Sequence, residues 1–155
     1  MADGEDEAVI KAATMSGVHD MILRLPQGYD TDIGDRGTVL SGGQRQRVAL
    51  ARAVFGDPRF VVLDEPNSNL ESVGEDALMK AVSALKKIGC TVVIIAHRPG
   101  ILAQVDKILV LRAGRMETFG PREEVLAKLM KPAATDEAGG AGGPKAMVAA
   151  AARRP

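Results

Sequence analysis

The chain has 155 residues, enough for one domain of ordinary size. Its 20 Lys and Arg balance 20 Asp and Glu, so no general attraction to nucleic acid or anionic lipid is implied. With no Trp, one Tyr and three Phe, any core must be aliphatic. The single Cys90 cannot form an internal disulfide, which suits a reducing compartment. It lies in an apolar run and reads as a small buried hydrophobe rather than a reactive thiol. The longest apolar run, 90–96, is far short of the roughly 20 residues that span a bilayer. The acidic start is the opposite of a signal peptide's basic one. A soluble chain is expected, or one held at a membrane only by a partner.

Residues 5–24 read as helix, interrupted near Gly17, with acids at the start that suit the helix dipole. Residues 26–37 are rich in turn formers and read as a loop. Ser41 is placed to cap a helix over 42–54. The run 59–63 is short, apolar and β-branched, the pattern of a strand buried on both faces. Over 72–87, Val73, Ala77, Leu78, Ala81, Val82 and Leu85 recur at helical spacing, and Gly89 stands where a C-terminal cap belongs. Strands are expected at 91–96 and 107–111, the latter turning through 112–115 into a short partner at 116–119. Pro121 suits the first turn of a last helix, to about residue 130. Alternating strands and helices imply an α/β layer structure over 1–131. From 132 to 155 the composition shifts to Ala, Gly and Pro, which predicts a disordered tail.

Three features carry chemistry. Residues 40–47 read Leu-Ser-Gly-Gly-Gln-Arg-Gln-Arg. Two glycines at a helix start let backbone amides approach an anion closely, and the dipole's positive end favours phosphate. Ser41 adds a hydroxyl and Gln44 an amide in the first turn. Alone, Ser-Gly-Gly is equally a structural helix start. The second feature is the run Phe-Val-Val-Leu-Asp-Glu-Pro at 60–66. Asp64 and Glu65 end a buried strand, at the edge where open α/β sheets bind ligands, and two adjacent acids there call for a cation or a proton partner. The third is His97, which leaves the next buried strand at that same edge.

This combination resembles the later half of an ATP-binding-cassette (ABC) ATPase, a P-loop NTPase-like fold with a helical subdomain. In that resemblance 40–47 is the signature loop and 60–66 the Walker B strand. It implies that Ser41, Gly42, Gly43 and Gln44 close over ATP held by a partner cassette. It implies further that Asp64 supports Mg²⁺ through water, that Glu65 is the general base, and that His97 contacts the γ-phosphate. Asn67 to Glu71 match the D-loop, with Asn69, Leu70 and Glu71 at its end. The family pattern there usually closes in Asp, so Glu71 carries an extra methylene and is equally a helix-capping acid. The loop 25–37 resembles the segment before the signature in exporter-type cassettes, where Asp35 would lie near the coupling helices of a transmembrane domain. Residues 63–70 and 95–99 are similar to those of type I protein secretion exporters. Implied partners are ATP, a second cassette as homo- or heterodimer, and an exporter's membrane domain, with no nucleic acid. The implied location is the cytoplasm or the cytoplasmic face of the inner membrane.

No Gly-Lys pair occurs in the chain, so the Walker A loop of that family is absent, and with it the Q-loop glutamine. The cassette is therefore expected to be incomplete: the helical subdomain plus the later part of the core sheet. Without the central strand that carries the P-loop, the Walker B strand is expected to lack a neighbour and expose an edge. Two functions follow. One is the later portion of an ATP-hydrolysing domain that energises export. The other is a catalytically inactive binding module that pairs with an intact cassette.

Overall fold

The computed structural model describes residues 3–68, 72–96, 99–130 and 145–151. Helix α1 spans Asp3–Met15 and α2 spans His19–Leu23, separated at Gly17 as expected. Gly17 adopts φ +67, and the N–H groups of Gly17 and Val18 donate to the carbonyls of Thr14 (3.1 Å) and Ala13 (2.9 Å). That pattern closes a helix through a left-handed residue, which glycine occupies without steric cost. The loop that follows holds two single 3-10 turns, Gly28–Asp30 and Asp35–Gly37.

Helix α3 is Gly42–Val54, strand β1 Phe60–Asp64, α4 Ser72–Lys87 and β2 Thr91–Ile95. The short α5, Pro99–Leu102, leads to β3 at Lys107–Arg112 and β4 at Arg115–Pro121, then α6 at Arg122–Met130 and β5 at Lys145–Ala151. Helix α4 ends as α1 does. Gly89 has φ +79, its N–H donates to Lys86 C=O at 3.0 Å, and that of Cys90 donates to Leu85 C=O at 3.0 Å. Strands β3 and β4 meet across Ala113 and Gly114, both at positive φ, the two-residue turn whose twist matches an antiparallel pair. Pro121 closes β4 instead of opening the last helix, which starts one residue later.

The sheet runs β1-β2-β5-β3-β4. Strand β1 pairs in parallel with β2, from Phe60 against Thr91 to Asp64 against Ile95. Strand β1 thus has β2 on one side and, among the described residues, forms the exposed sheet edge on the other, as expected for the run 60–66. The tail departs from expectation. Within 132–155, residues 145–151 form a strand, antiparallel to both β2 and β3. Each flanking strand offers an unpaired backbone edge, and those edges supply hydrogen-bond partners that composition alone does not reveal.

The core lies on one face of the sheet. Val61 and Leu63 of β1, Val92 and Ile94 of β2, and Ile108 and Val110 of β3 are buried against Leu78, Ala81, Val82 and Leu85 of α4. Leu50 and Val54 of α3, Ala12 of α1 and Val125 of α6 complete that layer. The alternate residues differ. Phe60 is 61% and Val62 52% exposed. A strand buried on both faces was expected; among the described residues, nothing covers the second face of β1. Cys90 is buried within the core, as expected, and burial pushes its thiol pKa up.

Candidate functional site

The start of α3 is built locally. Ser41 is extended (φ −65, ψ 164), and its Oγ accepts from the Gln44 N–H at 3.2 Å. Gln44 Oε1 accepts from the Ser41 N–H at 2.8 Å, completing a reciprocal capping box. The Ser41 oxygen is thus engaged as an acceptor while its hydroxyl proton stays available to donate. Among the described residues no acceptor is bound to the N–H of Gly42 or Gly43. These amides stand at the positive end of a 13-residue helix, the arrangement that attracts an anion.

Arg45 fixes the approach to this helix. Its Nη1 donates to Leu40 C=O at 2.7 Å and to Gly37 C=O at 3.4 Å. Arg47 Nη1 donates to Gly17 C=O at 3.3 Å, joining α3 to the end of α1. Asp35 is exposed at the first residue of the second 3-10 turn. Beside it Arg36 adopts φ +56. Ile33, Leu40, Val48 and the three arginines Arg36, Arg45 and Arg52 line a cleft of about 370 Å³.

The second part of the site is the exit of β1. Asp64 is exposed at the strand end, and Glu65 is half-buried just beyond it. Glu65 has φ +45, a left-handed conformation uncommon for a residue with a Cβ. Its backbone is held on both sides. The Glu65 N–H donates to Ile95 C=O at 2.9 Å, and its C=O accepts from Gln46 Nε2 at 2.9 Å and from the Ser68 N–H at 3.1 Å. Such a hold is what a strained residue requires. Gln46 therefore couples α3 to the turn that carries both carboxylates. Sequence reasoning did not single it out, because a polar side chain five residues past a cap looks like any solvated helix position. Asn67, 7% exposed, was read only as part of the D-loop and lines a cavity of about 290 Å³ with Glu75, Asp76 and Met79.

Parallel register brings β1 and β2 out at the same sheet edge, so the end of β2 at Ile95 lies beside the turn at Glu65. His97 itself, and Asn69, Leu70 and Glu71, lie outside the described residues. His19, read as a surface residue, is half-buried, and its Nδ1 lies 2.8 Å from Tyr29 Oη. Desolvation raises the Tyr29 pKa. Among the described residues no cluster of three or more His, Cys, Asp and Glu could hold a metal ion, and no helix is long and apolar enough to cross a membrane. A lone exposed Asp64 fits a cation that arrives on phosphate oxygens and keeps its water; it does not fit a cage made by the protein alone.

Comparison with known proteins agrees with the motifs. Residues 5–68 match the ABC transporter family. The type I secretion system ATP-binding protein PrsD of Rhizobium meliloti is 55% identical over 130 residues, 84% of this chain and 22% of that protein. A solved bacterial Atm1-family ABC exporter with ATP bound superposes with a TM-score of 0.72 at 38% identity, over 81% of this chain and 22% of that one. The chain thus spans less than a quarter of the length of these relatives.

Proposed function

We propose that this chain, a member of the ABC transporter ATP-binding family, holds the signature and Walker B portion of its cassette and contributes one half of an ATP site. The observation that carries the proposal is the capped start of α3, tied through Gln46 to the carboxylate turn. Gly42 and Gly43 present their N–H groups to the γ-phosphate of ATP held by a second cassette, with the Ser41 hydroxyl and the Gln44 amide beside them. Such a contact forms only in a cassette dimer, so the nucleotide is the glue of that dimer. Glu65 acts as general base on the attacking water, and His97 orients water and phosphate from the neighbouring strand exit. The left-handed backbone of Glu65 is fixed by Ile95 and Gln46, which limits the positions open to its carboxylate. Asp64 would hold Mg²⁺ through water, and the ion would supply charge neutralisation at the phosphates.

Asn69, Leu70 and Glu71 complete the cross-dimer contact, and Asp35 faces the transmembrane domain of an exporter on the cytoplasmic side of the membrane. The likeness to PrsD supports protein secretion of type I as the process energised. The sequence has no Gly-Lys pair, so the phosphate cradle of the family lies outside these 155 residues.

The test mixes this chain with an intact exporter cassette whose own base is disabled. ATP is expected to promote association, and Gly43→Asp to weaken it by setting negative charge against the γ-phosphate. Association indifferent to both ATP and Gly43→Asp overturns the reading. When a Walker A segment is supplied, Glu65→Gln is expected to cut turnover by ~10²–10⁴-fold while ATP still binds. The chain alone is expected to release no phosphate.

A further inference from the structure

Gln46, Leu50 and Val54 recur every four residues along α3, so their side chains share one face of the helix. Leu50 and Val54 are buried in the core. Gln46 is half-buried at the head of that row, where a third apolar side chain would simply extend the stripe. The chain carries an amide there instead, and its Nε2 donates to the Glu65 C=O at 2.9 Å. Gln46 also stands one helical turn after Gly42, and side chains on a helix lean toward its start. It therefore bridges the capped start of α3 and the exit of β1. The acceptor is no ordinary carbonyl. Glu65 has φ +45, a backbone conformation that persists only where its surroundings over-determine it. Three bonds contribute here: the Glu65 N–H donates to Ile95 C=O, and its C=O accepts from the Ser68 N–H and from Gln46. Of these three, the Gln46 bond is the one made by a side chain, so a substitution can delete it without altering the backbone.

We propose that Gln46 is a positioning residue for the carboxylate turn. Its bond to the Glu65 carbonyl holds the left-handed backbone from which the Glu65 carboxylate acts, and it ties that geometry to the start of α3. Gln46 acts through the Glu65 main chain and takes no part in proton transfer. This inference rests on the reading of Glu65 as general base.

The test uses Gln46→Met in the full chain, which nearly keeps the side-chain length and removes the donor. Hydrogen exchange without nucleotide reads the turn directly. Protection of the Glu65 and Ser68 amides is expected to fall roughly 2–10-fold, the size of one lost hydrogen bond, while that of Val92 to Ile94 stays. Unaltered protection at Glu65 and Ser68 overturns the proposal. Turnover is then measured with a Walker A segment supplied. Gln46→Met is expected to lower kcat roughly 10–10²-fold with the KM for ATP unchanged, because a misplaced base slows the chemical step and leaves ground-state binding alone. ATP-promoted association with the base-disabled cassette is expected to persist, since Gly42 and Gly43 are unaltered. A raised KM at constant kcat, or lost association, would mean that Gln46 serves the helix start, and overturns the proposal. Glu65→Gln is run in parallel. If it cuts turnover and Gln46→Met does not, this inference alone falls; if neither does, the reading of Glu65 as base falls with it. Should Gln46→Met unfold the chain, the unaltered protein decides. There the Gln46 side-chain amide is expected to exchange more slowly than that of the exposed Gln27, and equal exchange overturns the proposal.

Discussion

Beneath α4 the sheet is closed by apolar side chains alone, with Leu78, Leu85, Ile94 and Ile108 almost wholly buried. Around the start of α3 there is little such burial; there the chain is held by Arg45, Gln46 and Arg47 donating to main-chain carbonyls, and by the capping box of Ser41 and Gln44. The first region resists change through area removed from water, which is non-directional and tolerant of small shifts. The second sets direction. Hydrogen bonds aim the helix start and the Glu65 turn, while each contributes only about 0.5–1.5 kcal/mol net. A helix start that presents amides to a phosphate, as proposed here for α3, needs both: a rigid floor and an aimed rim.

The comparison can be broken at three places. Leu85→Ala empties a fully buried position between α4 and the sheet and is expected to cost ~2–5 kcal/mol, read as a lower urea midpoint with an unchanged slope. A smaller loss would show that the floor relaxes and is not closely packed. Gly17→Ala comes next. The new Cβ would lie 2.8 Å from the Ala77 Cβ, at a backbone angle of φ +67 that alanine resists. A left-handed alanine alone costs roughly 1–2 kcal/mol, and the clash adds to it. The same urea titration reads it, and a neutral result would mean that α1 and α4 separate freely. Ser41→Ala belongs to the rim and is expected to cost only about 1 kcal/mol in stability. Its larger effect is expected on ATP-promoted association with an intact cassette, measured beside the unaltered chain. Equal association in both would remove the hydroxyl from the contact.

Much of this was legible in the chain before any coordinates. Helical spacing placed α4 at 72–87, Gly17 and Gly89 marked helix ends, and Ser41 announced the cap of α3. These are local effects: a period, a missing Cβ, a hydroxyl one residue before a helix. The motif octet and the acid pair were legible for the same reason, since their chemistry depends on neighbours in sequence. The apolar run at 60–63 was read as buried on both faces because hydropathy reports capacity for burial and says nothing of which helices arrive to cover it.

What the sequence by itself determined was therefore most of the elements over 5–130, their order and the aliphatic core, and it singled out the loop 40–47 as the candidate anion site. Only the tertiary structure decided how distant pieces meet. Gln46 reaches Glu65 across 19 residues of sequence, and no spacing rule links a helix side chain to a strand-end carbonyl. Within the alanine-rich tail, expected to be disordered on composition, residues 145–151 form a strand that pairs through its backbone with both β2 and β3. Backbone pairing is blind to side-chain identity, which is why composition could not foretell it.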